Sequence, residues 1–314
     1  MLKVKNTTHW LNTKNAHTLS AFVYPSWHPG LNFIAFSTNK INQDFYGGGH
    51  RLNYVRDIAS DIVIYDVERN TIFTSPEIAT KDFENLPNWS PDGKYLYFTK
   101  CSRDLRTIHD TLVKYDLYRV SFDPQTKEIG HAETLLTSNE TNKSISFPEV
   151  SPDGRFLVFC MADYGYFVVG NPTSDLYIMD LKTKMYKKLD VNSEHTESFH
   201  SWSKEGRWLV FASKRIDGLI THPFFTYIDS LGNASKPFIL PQEYPSTIKT
   251  KLFNYNRPVF VQNGLSLSQE EIINTTQIKP TDVQFDTLSV DVDAIAGPTK
   301  MEKPADEGIP YLAK

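Results

Sequence analysis

The sequence predicts an all-β chain built as a ring of like units, on three observations. A hairpin signal recurs along the 314 residues. A second strand motif follows each copy of it. Aromatic residues make up 13% of the chain, a share that suits packed, pleated surfaces.

The clearest copy of the hairpin reads Leu86-Pro87-Asn88-Trp89-Ser90-Pro91-Asp92-Gly93-Lys94-Tyr95-Leu96-Tyr97-Phe98. Pro91 presets φ for the second position of a type I turn, Asp92 suits the third, and Gly93 takes the positive φ that follows. The run after the turn is a strand pattern. The copy returns at Phe147-Pro148-Glu149-Val150-Ser151-Pro152-Asp153-Gly154 and at Phe199-His200-Ser201-Trp202-Ser203-Lys204-Glu205-Gly206. A worn copy stands at Tyr24-Pro25-Ser26-Trp27-His28-Pro29-Gly30, and a partial one at Arg257-Pro258-Val259-Phe260. Counted at positions 27, 89, 150, 202 and 260, the steps are 62, 61, 52 and 58 residues.

Behind each hairpin comes a third strand: Ser60-Asp61-Ile62-Val63-Ile64-Tyr65, Tyr115-Asp116-Leu117-Tyr118, Ser174-Asp175-Leu176-Tyr177 and Phe224-Phe225-Thr226-Tyr227. Fourth strands fit at 71–74, 133–137, 187–191 and 237–240. Four strands at a long fixed period make a β-propeller of four-stranded antiparallel blades. Five blades are expected, with a strand over 17–23 closing the ring. Six would need residues 1–23, or those from 263 on, to supply most of a blade. The propeller is assigned to 1–262 and an irregular, extended or disordered tail to 263–314. Within that tail Ser268-Gln269-Glu270-Glu271 reads as a capping box opening a brief helix.

The Trp-Ser-Pro-Asp-Gly hairpin followed by Ser-Asp-Leu-Tyr resembles the TolB-like, WD-type β-propeller repeat, over about residues 24–261. Tyr24-Pro25-Ser26-Trp27-His28-Pro29, the run 58–67 and Glu197-Ser198-Phe199-His200-Ser201-Trp202-Ser203 look like such propellers of Bacteroidetes. The resemblance implies a periplasmic or cell-envelope setting, although the N-terminus, Met1-Leu2-Lys3-Val4-Lys5-Asn6, carries no secretory signal pattern. A propeller scaffold hosts many unrelated sites, so function has to come from the residues.

Net charge is −4 and the pI about 6.1, which gives no field for nucleic acid or anionic membrane. No apolar run reaches the roughly 18 residues of a membrane span. Cys101 and Cys160 read as buried free thiols, and no Cys-x-x-Cys-His is present, so no cofactor is expected.

In an antiparallel blade the Ser-Pro-Asp-Gly turns gather on one face and the longer loops on the other. Loops on a rigid scaffold carry function. The candidate binding residues on the loop face are His50, Arg51, Arg103, His109, Tyr164, Tyr166, His200, Arg215, His222 and Tyr255. They suit a protein or glycan partner. The competing reading is a metal-dependent lyase or hydrolase acting on an oligosaccharide in the central channel. It starts from Glu194-His195-Thr196-Glu197-Ser198-Phe199-His200 and requires three of His50, His109, His200 and His222 to converge. No Gly-x-Ser-x-Gly elbow is present. Asp104, Asp110 and Asp163 are a weaker acid/base set, and Asp61, Asp116 and Asp175 recur at one repeat position as scaffold acceptors of backbone N–H groups.

Overall fold

The computed structural model describes residues 2–4, 7–14, 18–44, 54–102, 112–249, 253–255, 257–261 and 267–286. The chain opens with short strands β1 (Leu2–Val4), β2 (Thr7–His9) and β3 (Leu11–Asn12). The first blade is β4 (Phe22–Trp27), β5 (Phe33–Asp44), β6 (Tyr54–Asp66) and β7 (Thr71–Phe73). The second is β8 (Phe83–Trp89), β9 (Tyr95–Cys101), β10 (Asp116–Ser121) and β11 (Glu133–Leu136). After the one-turn helix α1 (Ser138–Thr141), the third blade is β12 (Ser144–Val150), β13 (Phe156–Ala162), β14 (Asp175–Asp180) and β15 (Tyr186–Lys188). The fourth is β16 (Glu197–Trp202), β17 (Trp208–Ser213), β18 (His222–Tyr227) and β19 (Phe238–Ile239). Within each blade the strands pair antiparallel in chain order, as the sequence repeats require.

Alternation along the second strands sorts side chains into two faces per blade. Phe33 and Ala35 of the first blade meet Trp89, Leu96 and Phe98 of the second. Tyr97 and Leu117 of the second meet Leu157, Phe159 and Met161 of the third. Phe156, Val158 and Cys160 of the third meet Trp202, Leu209 and Phe211 of the fourth. Each blade thus presents a forward face to the rear face of the next, and these contacts are the core.

Two polar ladders repeat around the ring. In the first, a side chain one residue before the Trp position accepts from the backbone N–H at the Trp position of the next blade. Trp89 N–H donates to Ser26 Oγ at 3.0 Å, Val150 N–H to Asn88 Oδ1 at 3.1 Å, and Trp202 N–H to Glu149 Oε1 at 3.2 Å. The second ladder lies on the turn face. Ser90 Oγ donates to Asp92 Oδ1 at 2.6 Å and Ser151 Oγ to Asp153 Oδ1 at 2.6 Å, closing the turns. Each turn glycine then packs against the preceding blade: Gly93 on His28, Gly154 on Pro91 and Gly206 on Pro152.

All four inner strands carry a β-bulge. At each bulge one non-glycine residue is left-handed: Tyr24 at φ 52°, Leu86 at 57°, Phe147 at 51° and Phe199 at 40°. Such a conformation costs roughly 1–2 kcal/mol per residue. It throws these side chains inward, where the ring centroids of Tyr24 and Phe147 lie 6.3 Å apart and those of Phe147 and Phe199 4.8 Å apart. Leu86, Tyr166 and Phe167 complete this central cluster.

The described start of the fifth copy, 257–261, sits as a repeat should. Phe260, at the Trp position, packs on Phe225 of the fourth blade with centroids 5.9 Å apart. Arg257 acts electrostatically on Tyr24, Glu149 and His200, as a residue at the bulge position should. Residues 257–261 form no strand. The capping box at Ser268 and Glu271 opens helix α2 (Gln269–Thr276) as expected. Strands β20 (Thr281–Asp282) and β21 (Gln284–Phe285) follow and pair parallel with β3 and β7. The expected strand over 17–23 differs: residues 18–21 are irregular and Phe22 already belongs to the inner strand of the first blade. Here the C-terminal segment comes to the N-terminal blade, because the rear face of that blade (Phe22, Ile34, Phe36, Ile72) is apolar and takes Leu11, Val283 and Phe285 as its cover.

Gly93 and Gly154 share φ 72°, yet a Cβ at Gly93 would overlap His28 Nε2, whereas one at Gly154 meets Pro91 at an ordinary 3.8 Å. Gly154→Ala is expected to cost roughly 1–2 kcal/mol from backbone strain alone. Gly93→Ala should cost more, and His28→Ala should recover that excess but not the strain, read by urea denaturation of the single and double variants.

Candidate functional site

At the loop end of the first two blades a buried carboxylate is tied to three elements. Asp57 of β6 accepts from Asn39 Nδ2 of β5 at 2.8 Å, Asn85 Nδ2 of β8 at 2.7 Å and Tyr115 Oη, just before β10, at 3.0 Å. Burial pushes its carboxyl up to about 6, against the pull of those donors. The phenols of Tyr24 and Tyr166 stand within electrostatic range of the same group, and burial followed by that charge pushes both upward. A knot of this kind pins blade one to blade two.

Two further buried carboxylates hold the loops that enter alternate blades. Glu84 takes Thr80 N–H at 3.2 Å, Thr80 Oγ1 at 2.5 Å and Lys100 Nζ at 3.0 Å. Glu197 takes Ser193 N–H at 3.0 Å, Ser193 Oγ at 2.7 Å, Ser213 Oγ at 2.9 Å and Arg215 Nη2 at 3.1 Å. The same device, a Ser or Thr four residues before the glutamate and a cation from the second-strand side, appears in blades two and four. The spacing Thr80-x-x-x-Glu84 and Ser193-x-x-x-Glu197 was the available sequence signal for it.

The ten candidate residues separate into distinct environments. His50, Arg51, Arg103 and His109 lie outside the described residues. Tyr166 is buried in the central cluster and Tyr164 lies on the third blade's loop, its carbonyl accepting from Asn171 Nδ2 at 3.4 Å. His200 is buried between blades three and four. Its Nε2 meets Val158 O at 3.0 Å and its Nδ1 lies 3.9 Å from Cys160 Sγ, and burial lowers it to about 4. It is a neutral donor in a core. Arg215 is spent on Glu197 and on Val191 O at 2.6 Å, with its guanidinium 4.5 Å over the Phe224 ring.

His222 and Tyr255 are the pair the fold brings together, with ring centroids 5.9 Å apart. They line a crevice of about 10 Å³ with Pro223, Ile239, Leu240, Gln242 and Ile248, room for a single water. His222 Nε2 is buried with no partner among the described residues, and burial lowers its pKa. Above them, Thr221 N–H donates to Asn254 Oδ1 at 2.8 Å and Tyr255 N–H to Thr221 O at 3.0 Å. This clasp ties the loop that carries Leu219 to the segment that carries Phe253 and Tyr255, and these three side chains are 71%, 64% and 36% exposed.

His200 meets Val158 and Cys160 while His222 meets Tyr255, and among the described residues no three His, Cys, Asp or Glu side chains group as metal ligands. Cys101 and Cys160 are free and buried, as expected, and burial pushes the Cys101 thiol up to about 12. The recurrent aspartates split: Asp116 accepts the expected backbone donor, Ser138 N–H, at 2.5 Å, Asp175 pairs instead with Lys188 at 2.6 Å, and Asp61 is buried with Oδ1 unpartnered among the described residues. Burial, and then the charge of Glu84, pushes the Asp61 carboxyl well above the usual range.

No protein-family model matches the sequence, and no curated protein matches it. Solved β-propellers are similar in fold. The Dos1 propeller is 14% identical with a TM-score of 0.41, covering 73% of this chain and 64% of that one. A putative TolB from Agrobacterium tumefaciens is 17% identical with a TM-score of 0.41, covering 70% and 80%. An auxiliary nutrient binding protein from Bacteroides thetaiotaomicron is 12% identical with a TM-score of 0.44, covering 71% and 42%. The chain therefore spans less than two thirds of the first and third of these.

Asp57 makes stability pH-dependent with a definite sign. Its proton is held more tightly folded than unfolded, so its contribution is full below the ordinary 3.8 and is lost as pH rises through about 6. The loss amounts to at most roughly 3 kcal/mol. Tyr115→Phe removes a donor to the carboxylate, so its penalty should be larger at pH 8 than at pH 4, by about 1–2 kcal/mol in urea denaturation. Equal penalties at both pH values would place the titration elsewhere.

Proposed function

We propose that this chain is a non-catalytic binding propeller whose loop face docks a protein or glycan at the edge of the fourth blade. The observation that carries this is the clasp of Thr221 with Asn254 and Tyr255. It holds Leu219, Phe253 and Tyr255 in solvent as preordered apolar anchors, and preorder lowers the cost of association. The neutral, core-bound His200 and the ion-paired Arg215 support binding over chemistry, because two groups suited to catalysis are consumed by the scaffold. The envelope-associated setting is also proposed. It rests on the resemblance of the hairpin and Ser-Asp-Leu-Tyr motifs to TolB-like repeats. No helix among the described residues is long and apolar enough to cross a membrane.

The test places a photo-crosslinking amino acid at position 219, and separately at Lys94 on the turn face of the second blade, in the natural host. Position 219 should give a discrete saturable adduct, or a hit on a glycan array, that position 94 does not. Phe253→Asp or Tyr255→Ala should weaken capture at least about tenfold with the melting temperature unchanged, as for a hot spot. Capture that ignores these changes would remove the loop-face edge as the site.

A further inference from the structure

Among the described residues, the outer part of the fourth blade's forward face lacks the cover that the other forward faces receive. Phe260 arrives at the inner part of that face, as Trp202 does on the third blade. The second strand and outer turn that should follow are absent from the described part of the fifth copy. The equivalent position in the third blade, Phe156, is buried beneath Gly232 of the next blade's outer turn. On the fourth blade Trp208, Tyr227 and Phe238 stay 40%, 40% and 45% exposed. Trp208 and Tyr227 are cross-strand partners with centroids 5.5 Å apart, and Phe238 lies 6.0 Å from Trp208, so the three form one patch.

We propose that a second copy of this chain covers this patch, forward face to forward face, in a two-fold dimer. Topology selects that arrangement. A head-to-tail contact would need the rear face of a first blade, and that face is already occupied by Leu11, Val283 and Phe285 of the same chain. A contact of the patch with its own copy needs no such face, and a self-complementary contact closes at two copies. The three rings leave roughly 60–110 Å² apiece for burial, an apolar centre for an interface that takes about 800 Å² from each partner. Exposed Glu205 and Arg207 just precede Trp208 and carry opposite charges, so a two-fold axis can set each against the other's counterpart. This patch opens toward the turn face and is separate from the loop-face edge around Leu219.

Sedimentation velocity of the full chain over a wide concentration range decides it. Dimers with a micromolar dissociation constant and no larger species are expected. Trp208→Asp and, separately, Tyr227→Asp should weaken association at least about tenfold with an unchanged melting temperature. Three results would overturn the proposal. One is a dimer indifferent to both substitutions. Another is continued growth past two copies. The third is a chain monomeric throughout, and if the full chain carrying Val290→Asp and Val292→Asp then dimerises, the chain's own C-terminal segment is the cover instead.

Discussion

The left-handed residue in the middle of each inner strand governs the rest of this structure. A strand that ran straight would pair evenly and leave the axis open. The bulge turns one side chain per blade inward, and Tyr24, Leu86, Phe147 and Phe199 fill the centre with apolar bulk. The strain is repaid by central packing and by the acceptors that stand just beyond each bulge. Ser26, Asn88 and Glu149 reach across to the next blade's backbone because the bulge has re-aimed the strand that carries them. Blade spacing, central packing and the loop-face exits of the strands all follow from that local kink.

The centre is also where charge has been taken out of water. Asp57, Glu84, Glu197 and Glu149 all sit on or beside inner strands, each held by donors from elsewhere in the fold. Burial pushes Glu149 up to about 7, with Trp202 N–H its main stabilising donor. Breaking one partner of such a group costs more than the pair contributes, so Asp57 and Glu149 act as registration marks between blades, and Glu84 and Glu197 fix the loops that enter theirs. Apolar packing alone would let neighbouring blades slide, and a buried acceptor with one matching donor does not.

The repeat was legible because turn chemistry is local. Ser-Pro-Asp-Gly names its own geometry, and alternation in Tyr95-Leu96-Tyr97-Phe98 names the two faces. The strand order and the helix at Ser268 were readable for the same reason. The bulges were not, since Tyr, Leu and Phe carry no preference for positive φ and the strain is imposed by packing from other blades. The environments of the site residues were less legible, because chemical type is all that sequence shows of His200 and Arg215. Whether a histidine meets solvent or Val158 O depends on contacts 42 residues away in sequence. His222 and Tyr255 came together through the clasp at Asn254, which no local pattern announces.

The pairing of β20 with β3 has a consequence for how the molecule is made. Asn12 Nδ2 donates to Asp282 Oδ1 across a separation of 270 residues. During synthesis the first blade emerges before the others, but the rear face of its sheet has only Leu11 of its cover until Val283 and Phe285 leave the ribosome. For most of translation a strand-edged apolar face of Ile34, Phe36 and Ile72 waits in the open, which is the condition that recruits chaperones or misassembles. The first blade made is the last one finished. A proteolytic nick near residue 280 would reopen the face that a newborn chain exposes.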